Sequence, residues 1–329
     1  MAIATLAADS TLTDCLRSLE EQTIDDFEVV VVDNSGEGRA REAVGACRRA
    51  ILVENPTNVG FGAAINQVYR SSGAPFLATL NDDAVADPKW LEALLTQIQS
   101  RADIGMCASQ VRLADPAGRL DSAGMLIARD GSSKQRGHGE SPEKFSRGCE
   151  VMAASGSAAI YRRDMLEEIG LFDESFFLYC EDTDLGLRAR WAAWECRYVP
   201  EALVTHGYSH SAGKASRLKA YHVERNRLFL VVKNFPAAQA FASVFFAGLR
   251  YFWHLVSVGK GKGKAAEFRN EGGGLLELAA IVVRAHLAAI GALPRLLRER
   301  RRIRRRLVPR QFRRMLASYS IAVREVAAL

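Results

Sequence analysis

The sequence predicts an α/β fold, a mostly parallel sheet flanked by helices, followed by a helical C-terminal region. Three observations predict it. Short β-branched segments alternate with helical patterns in residues 1–110, polar clusters follow two predicted strands, and the composition after Pro236 changes to apolar segments and arginine. Strands that alternate with helices are typical of βαβ units, which form parallel sheets. We expect a main domain over residues 1–235 and a helical, Arg-rich, membrane-associating region over residues 236–329.

The first third of the chain supplies the predicted sheet. Its predicted elements are strands at Glu28–Val32 and Phe76–Leu80 and helices at Leu12–Glu21 and Ala63–Ser71. Polar residues directly follow both strands, at Asp33–Gly36 and at Asn81–Asp83. Because ligands of parallel sheets bind beyond the carboxyl ends of the strands, we expect these two clusters to border a site.

The middle of the chain is predicted to regain regular structure after a long connection. Residues 111–150 are rich in Gly, Ser and Arg, which favours a functional loop or a small hairpin beside the site. A strand over Ser155–Tyr161 and helices over Arg163–Gly170 and Asp182–Trp194 are predicted to follow.

The C-terminal region contains two long apolar segments, residues 237–258 and 275–293. Charged residues interrupt both, so neither is a clean membrane span. We expect helices that lie in the membrane interface or pack as a hairpin, with the arginine-rich segment on anionic headgroups. An ordinary helical domain that buries these faces against the rest of the protein is the alternative.

Positive charge is concentrated near the C-terminus. The net charge is +6, but residues 295–314 hold eleven arginines and one glutamate, a local +10, which leaves −4 for the remainder. Such a run binds phosphates, which membrane lipids or nucleic acids supply. The rest of the chain does not interleave aromatic and basic residues as RNA-binding surfaces do, so we expect an anionic membrane surface and no nucleic acid.

Cysteine usage and the N-terminal residues favour an intracellular protein. The six cysteines form no CxxC pair and show no zinc spacing, which favours reduced thiols over a disulfide framework. The N-terminal residues show neither a basic leader nor an apolar segment with a cleavage site. We therefore expect a cytoplasmic protein, peripheral on the inner face of the cell membrane.

Acidic residues at the end of a strand are candidate metal ligands. The cluster Asn81–Asp83 offers the oxygen atoms that Mg²⁺ or Mn²⁺ prefers, while leaving positions for phosphate oxygens. A solvated acidic turn is the alternative. Upstream, small residues in Asn58–Asn66 let the backbone approach a ligand at a helix start. Asp33 can bind a base or a ribose, or it can cap the next turn.

The most specific segment is GLFDESFFLYCEDTDL, at Gly170–Leu185. It places three carboxylates, Glu181, Asp182 and Asp184, within four residues beside several aromatic rings. This pattern suits a pocket in which one carboxylate acts as a base on an acceptor hydroxyl. Helix capping by all three carboxylates is the alternative.

Together these motifs resemble a known family. The segment GLFDESFFLYCEDTDLGLRAR, with SGSAAIYRRDMLEEI before it and PEALVTH after it, is similar to glycosyltransferase family 2, whose members have the GT-A fold. The resemblance is to bacterial rhamnosyltransferase-like members and covers about residues 3–235. It implies inverting, metal-dependent transfer of one sugar, rhamnose or similar, from a nucleotide-diphosphate sugar. The implied acceptor is a lipid-linked or cell-surface glycan, polyprenyl-diphosphate-linked, in polysaccharide biosynthesis.

The resemblance also implies roles for individual residues. Asp182 corresponds to the catalytic base, with Glu181 and Asp184 in support. Asp83 and His206 correspond to the ligands of the divalent cation, Mg²⁺ or Mn²⁺. The residues that it assigns to donor binding are Thr5, Asp33, Asn58, Gly60, Asn66, Asn81, Asp82, Gly156 and Arg225.

The sequence departs from the family pattern in two places. Residues 3–8 are short and lack the tyrosine and asparagine of the family's first motif, so either the base is held differently or the chain starts upstream. The QxxRW signature of processive synthases is absent, which favours single-sugar addition. The alternatives are a nucleotidyltransferase, a catalytically inactive membrane-associated binding module of the same fold, and a nucleic-acid binder that uses the arginine run.

Overall fold

The computed structural model describes residues 1–7, 10–207, 216–259, 261, 263, 267–268 and 273–328. Its strands are β1 Ala2–Thr5, β2 Val29–Asp33, β3 Ala50–Glu54, β4 Phe76–Leu80, β5 Ala84–Ala86, β6 Ile104–Leu113, β7 Leu120–Ser122, β8 Met125–Ala128, β9 Ser133–Gln135, β10 Cys149–Glu150, β11 Ala158–Arg162, β12 Glu195–His206 and β13 Ser320–Ile321. Its helices are α1 Thr11–Glu20, α2 Arg41–Gly45, α3 Phe61–Ser71, α4 Trp90–Gln99, α5 Arg163–Ile169, α6 Glu181–Trp191, α7 Arg217–Asn234, α8 Ala237–Gly259, α9 Leu275–Arg302, α10 Pro309–Ser318 and α11 Val323–Ala328. Short 3₁₀ helices span Pro142–Phe145 and Glu174–Phe176.

The chain divides into two compact units. The first comprises residues 1–125 and 135–211, and the second comprises residues 126–134 and 212–329. The first unit holds a central sheet flanked by helices, so the predicted α/β fold class is confirmed. The predicted boundary at residue 235 concerns the extent of the catalytic part and stays a prediction.

A ten-stranded sheet organises the first unit. Its main path runs β10-β12-β6-β11-β4-β1-β2-β3, with β5 beside β12 and β7 beside β6. Strands β1 to β4 pair in parallel, as the alternating pattern of residues 1–110 predicts, because helices connect them. Strand β11 runs antiparallel to both of its neighbours, β4 and β6. The sheet as a whole is therefore mixed, and β11 brings its N-terminal end to the edge where β4 ends.

Helices cover both faces of this sheet. Val29 and Val31 of β2 pack in the layer that contains α1, α2 and α4, whereas Val30 and Val32 pack in the layer that contains α3, α5 and α6. Side chains alternate between the faces of a strand, so a strand covered on both faces becomes an unbroken apolar run. Each fully buried valine of this kind contributes about 1.5–3 kcal/mol.

The observed elements differ from the predicted ones mainly in two places. Residues 111–150, predicted as a functional loop or a small hairpin, contain β7 to β10 and a 3₁₀ helix. Helix α9 continues through Pro294 to Arg302, beyond the predicted end at residue 293. Arginine and leucine are good helix formers, which explains how the helix continues after the proline.

Buried charges hold part of the second unit together. Arg250 of α8 donates to Asp130 Oδ2 at 2.6 Å and to Glu224 Oε2 at 2.6 Å. Arg227 of α7 donates to the Asp130 carbonyl at 2.7 Å. All four residues are buried. The charge that interrupts the apolar sequence of α8 is thus paired inside this unit, which is how buried charges are normally accommodated.

Helices α8 and α9 are long and apolar enough to cross a membrane by length and composition. Their most apolar windows have mean hydropathies of 1.3 and 1.8, and 22% and 17% of the residues in those windows are buried. Exposed apolar side chains on α9 include Leu276, Val283, Leu287 and Ile290, with exposed fractions of 56–89%. These surfaces are consistent with a membrane-associating C-terminal extension.

Candidate functional site

The predicted site residues of the first unit gather where several strands end. Thr5 and Asp33 lie side by side at the ends of β1 and β2. Asn81 follows β4, and its N–H donates to the carbonyl of Ser157, just before β11, at 2.8 Å. The N–H of Gly156 in turn donates to Asp182 Oδ2 at 2.9 Å. These two hydrogen bonds link the acidic cluster after β4 to the carboxylates that begin α6.

His206, the last residue of β12, lies between two carboxylates. Its Nε2 is 3.0 Å from Asp83 Oδ1, and its Nδ1 is 2.8 Å from Asp121 Oδ2. Burial disfavours the charged imidazole, but the hydrogen bonds to Asp121 and Asp83 outweigh it and raise the pKa of His206 to about 10. Burial also acts to raise the pKa of Asp121, yet hydrogen bonds from His138 and His206 bring it below its ordinary value.

Asp83 and His206 fit a divalent cation that is completed by substrate oxygens. Among the described residues, no three His, Cys, Asp or Glu side chains form a complete metal site. His206 Nε2 and Asp83 Oδ1, which lie 3.0 Å apart in a hydrogen-bonded pair, are close enough that both could bind one ion. Asp121 holds the other ring nitrogen, as carboxylates do behind metal-bound histidines. Mg²⁺ and Mn²⁺ sites with few protein ligands take phosphate oxygens and water at the remaining positions.

The rest of the cluster after β4 is held in place by side chains. Asp82 Oδ2 accepts a hydrogen bond of 2.5 Å from Thr5 Oγ1, which in turn accepts one of 2.7 Å from the N–H of Ala7. The amide nitrogen of Asn81 is 3.1 Å from His206 Nε2. Ala8, the last residue of the short first motif, lies outside the described residues. Thr5, Asn81 and Asp82 are thus brought to the site, and their roles toward a donor stay predictions.

Three carboxylates at the start of α6 differ in their access to solvent. Glu181 and Asp184 are buried, with 6% and 0% exposure, whereas Asp182 is half-buried. Both oxygens of Asp182 accept hydrogen bonds, from the N–H of Gly156 at 2.9 Å and from that of Thr183 at 2.6 Å. Burial raises the pKa of Asp182 despite these bonds. Of the three carboxylates, Asp182 is the one that keeps partial exposure to solvent.

Glu181 is a buried acid without an ion-pair partner among the described residues. Its Oε2 is buried and accepts no hydrogen bond from them. Burial, and then the charge of Asp182, raise the pKa of Glu181 to about 8. Glu181 is therefore mostly protonated at neutral pH.

Asp184 forms a buried ion pair. Arg188 Nε donates to Asp184 Oδ2 at 2.8 Å, and the other guanidinium nitrogens donate to the carbonyls of residues 169–171 at 2.8–2.9 Å. Asp184 thus fixes the segment that leads from α5 toward α6. Its predicted support of catalysis stays a prediction.

The segment before α6 is conformationally strained. Phe177, Tyr179 and Cys180 have φ angles of 63°, 69° and 68°, in the left-handed region that side chains disfavour by about 1–2 kcal/mol each. A carbon added to Gly60 would lie 2.3 Å from the Phe177 carbonyl, so only glycine fits there. The N–H of Phe61 donates to that carbonyl at 2.8 Å. Strain held by such packing is typical of functional sites.

The carboxylate of Asp33 stabilises the turn that follows β2. Its two carboxylate oxygens accept hydrogen bonds from the N–H groups of Ser35 at 2.7 Å and Ala40 at 2.9 Å. Burial acts to raise the pKa of Asp33, but these hydrogen bonds outweigh it and lower the pKa. Asp33 is a buried carboxylate that shapes the turn after β2, and its recognition of a base stays a prediction.

The other residues near α3 that are assigned to donor binding also form hydrogen bonds within the protein. Asn58 Oδ1 accepts from the N–H of Gly60 at 2.9 Å. The buried Asn66 amide exchanges hydrogen bonds with the backbone of Phe172 at 2.9 and 3.1 Å and donates to Glu174 at 3.0 Å. These contacts join α3 to the segment before α6, and donor binding by these residues stays a prediction. Arg225, also assigned to the donor, lies on α7 in the second unit.

Asp121 is a site residue that sequence reasoning missed. It lies on β7 within residues 111–150, where the composition gave no reason to select one acid over another. His138 Nδ1 contacts its Oδ1 at 3.2 Å, on the opposite side from His206. The expectation that residues 111–150 border the site was the available signal, and it did not single out Asp121 in the Leu-Asp-Ser sequence of β7.

The chain was compared with known proteins. The profile of glycosyl transferase family 2 matches residues 2–170. The chain belongs to this family. An N-acetylglucosaminyl-diphospho-decaprenol L-rhamnosyltransferase of Mycobacterium tuberculosis is 30% identical over 236 residues, covering 63% of this chain and 76% of that protein. The O-antigen chain rhamnosyltransferase WbaN of Salmonella anatum is 24% identical over 197 residues, covering 59% and 61%.

Solved structures show the same fold. A mannosyltransferase of Pyrobaculum calidifontis in complex with GDP-Man and Mn²⁺ matches 92% of this family 2 chain and 83% of its own, with a TM-score of 0.55 and 16% identity. GalNAc-T7 with UDP, GalNAc and Mn²⁺ matches 70% of this chain with a TM-score of 0.56 and 15% identity. The match spans about half of that protein, 47%. The GT-A fold is confirmed, and family membership supports glycosyltransferase activity.

Replacing Asp121 by Asn tests the support behind His206. We expect Mn²⁺ affinity to fall about 10–100-fold, because the carboxylate that orients the histidine is lost. The measurement is the Mn²⁺ concentration that gives half of the metal-induced thermal shift. The control is Asp115→Asn, which removes an acid paired with Arg119 on a nearby turn. Equal Mn²⁺ midpoints in the two variants would contradict the assignment.

Replacing Glu181 by Gln tests its buried protonated state. In the folded protein its pKa is about 8, above the ordinary 4.5, so wild-type stability falls as pH rises between these values and then levels off. Between about pH 5 and about pH 8.5 we expect the free energy of unfolding of the variant, measured in urea, to rise by about 3 kcal/mol relative to that of wild type. The exposed Glu143→Gln controls for the substitution. If the difference in the free energy of unfolding between Glu181→Gln and wild type did not change with pH, Glu181 would not be protonated in the folded protein.

Replacing Asp184 by Ala tests its structural role. We expect the free energy of unfolding to fall by about 3–5 kcal/mol, because the buried Arg188 loses its charge partner. The matched control is Asp14→Ala, whose ion pair with Arg17 is exposed and contributes at most about 1 kcal/mol. Urea unfolding of both variants measures the contrast, and similar losses would refute it.

Proposed function

We propose that this protein is an inverting, metal-dependent glycosyltransferase. The reaction moves one sugar, rhamnose or similar, from a nucleotide-diphosphate sugar to a polyprenyl-diphosphate-linked glycan acceptor. The observation that carries the proposal is the half-buried Asp182, which is linked through Gly156, Ser157 and Asn81 to the Asp83 and His206 pair. The decaprenol-linked substrate in the name of the mycobacterial relative supports the acceptor class.

Asp182 is proposed as the base. It removes the proton from an acceptor hydroxyl, and the oxygen attacks the anomeric carbon from the face opposite the leaving nucleoside diphosphate. The bond to the diphosphate breaks as the new glycosidic bond forms, so the anomeric configuration inverts once. The hydrogen bonds from Gly156 and Thr183 fix the carboxylate, and this positioning lowers the entropic part of the barrier.

The residues after β4 are proposed to bind the donor diphosphate together with a cation. Asp83 and His206 would hold Mg²⁺ or Mn²⁺, and Asp121 orients His206. When bound, the cation neutralises charge that develops on the leaving diphosphate. Asn81 and Asp82 lie beside this pair, and Thr5 positions Asp82.

The C-terminal region is proposed to attach the enzyme to the inner face of the membrane. Helices α8 and α9 expose large apolar side chains, and the arginine-rich residues 295–314 supply positive charge for anionic headgroups. An enzyme attached to the membrane stays close to an acceptor that is itself anchored in the membrane. The catalytic part is proposed to extend over residues 1–235, and the membrane-associating region over residues 236–329.

Replacing Asp182 by Asn tests the proposed reaction. We expect turnover to fall below about a tenth of wild type, because general-base catalysis typically contributes 10²–10⁴-fold. Binding of the donor, measured by thermal shift with Mn²⁺, should stay close to wild type. Turnover is measured with a panel of nucleotide sugars and polyprenyl-diphosphate-linked acceptors, with and without Mn²⁺. The control is Asp164→Asn, an exposed acid in the first turn of α5.

The products separate the rival functions. The proposal is supported if a nucleoside diphosphate is released and the anomeric configuration of the product is opposite to that of the donor sugar. Release of pyrophosphate would instead identify a nucleotidyltransferase. Wild-type protein that shows no thermal shift with any donor would identify a binding module.

A further inference from the structure

Helix α8 exposes large apolar side chains along one side. Five of them have exposed fractions of 54–82%. At about 3.6 residues per turn, they fall within an arc of about 100° around the helix axis. An apolar stripe of this kind on the outside of a protein marks a surface that binds a partner or a membrane. We refer to these five residues as the α8 stripe: Phe241, Val244, Phe245, Phe252 and Leu255.

The other side of α8 packs inside the second unit. Four buried and three half-buried residues lie there, and by helical geometry they are centred opposite the α8 stripe. The half-buried residues pack against residues of β8, β13 and α11. The protein covers this side from residue 243 to residue 258, about 22 Å along the helix axis. The seven residues are Ser243, Phe246, Ala247, Leu249, Arg250, Trp253 and Val258.

The structure that packs against α8 is unsuited to the interior of a bilayer. Arg250, near the middle of the helix, donates to Asp130 and Glu224, and charged side chains at the bilayer centre are costly. Strands β13, β8 and β9 form an open three-stranded sheet. Open sheet edges do not occur in hydrocarbon, because their backbone groups would lack hydrogen-bond partners. If α8 crossed a membrane, these groups would be carried into the hydrocarbon core with it.

Two exposed arginines stack on aromatic rings of α8. Arg129 Cζ lies 5.2 Å from the ring centre of Phe246, and Arg324 Cζ lies 5.0 Å from that of Trp253. Within the described part of the chain, neither arginine forms an ion pair. Positive charges together with an apolar stripe are complementary to the anionic headgroups and acyl chains of a membrane interface. A second copy of this chain would instead bring its own arginines to the same interface, where like charges repel.

We propose that α8 lies in the plane of the membrane interface, with the α8 stripe immersed in one leaflet and Arg129 and Arg324 at its anionic headgroups. This inference rests on the proposed function, because it names the surface that makes the membrane attachment and the depth that this surface reaches. With 23 residues, or about 34 Å, α8 is long enough to cross a bilayer. An interfacial helix instead buries its apolar face about 5–10 Å deep.

Labelling of the two ends of α8 tests its orientation. A cysteine is placed at each end in turn, Ala238→Cys and Gly259→Cys, both at exposed positions, in the full chain produced in bacterial cells. A membrane-impermeant maleimide is applied to spheroplasts and to inverted inner-membrane vesicles, with wild type as the background for the six native cysteines. We expect both ends to be labelled in the inverted vesicles and neither in the spheroplasts. Any other pattern overturns the inference, as does a chain that remains in the soluble fraction.

Vesicle binding by the purified protein tests the α8 stripe. For Phe241→Ser we expect the dissociation constant for vesicles of phosphatidylcholine and phosphatidylglycerol to rise about 10-fold, because an immersed aromatic side chain is lost. The matched control is Ile51→Ser, on β3, which removes an apolar side chain with an exposed fraction of 53%. Its dissociation constant should stay within about 2-fold of wild type. Equal losses of binding in the two variants would contradict the place of the stripe in the membrane.

A charge variant tests the arginines beside α8. For Arg324→Gln we expect about 5-fold weaker binding to vesicles that contain phosphatidylglycerol and unchanged binding to pure phosphatidylcholine, because the arginine interacts with anionic headgroups. The control, Arg17→Gln, removes the same charge from an exposed position on α1. If both variants weakened binding equally, the loss would follow from net charge alone, and the assignment of Arg324 to the headgroups would be wrong.

The labelling result is independent of turnover, so it separates this inference from the proposed function. A wild-type protein that transfers sugar but has the ends of α8 on opposite sides of the membrane would overturn the inference and leave the proposed function standing. A protein whose α8 ends are both labelled in inverted vesicles, but which transfers sugar from none of the donors, would have the reverse consequence.

Discussion

The site depends on two hydrogen bonds donated by backbone N–H groups, from Asn81 to the carbonyl of Ser157 and from Gly156 to the carboxylate of Asp182. They exist because β11 runs antiparallel to β4, so that the start of one strand meets the end of the other. The proposed cation-binding cluster around Asp83 and the proposed base Asp182, about a hundred residues apart in the chain, are thereby linked through two peptide groups. Their relative position is set by the sheet, whose hydrogen bonds are cooperative and rigid.

Burial gives similar acids different roles in this site. Glu181 is buried without an ion-pair partner among the described residues and is mostly protonated near neutral pH, Asp184 is buried in an ion pair with Arg188, and Asp182 is half-buried. Asp121 is charged because His206 and His138 donate to it. The same principle governs all four: a buried carboxyl group loses its charge unless a cation or several donors stabilise it.

Buried charges contribute to the structure of the second unit. Asp130, Glu224, Arg227 and Arg250 are buried and neutralise one another. Composition counts these arginines together with those of residues 295–314, and only their partners in the structure identify them as structural.

Sequence alone determined the fold class, the family and most of the elements, because these follow from local periodicity and from ordered motifs. The β-branched run of β2 and the segment from Gly170 to Leu185 are examples. The tertiary structure decided the antiparallel placement of β11, the contact between Asp121 and His206 and the different environments of Glu181, Asp182 and Asp184. Each of these depends on contacts between residues distant in the chain, or on burial, and neither quantity is encoded in the spacing of residues along a single segment.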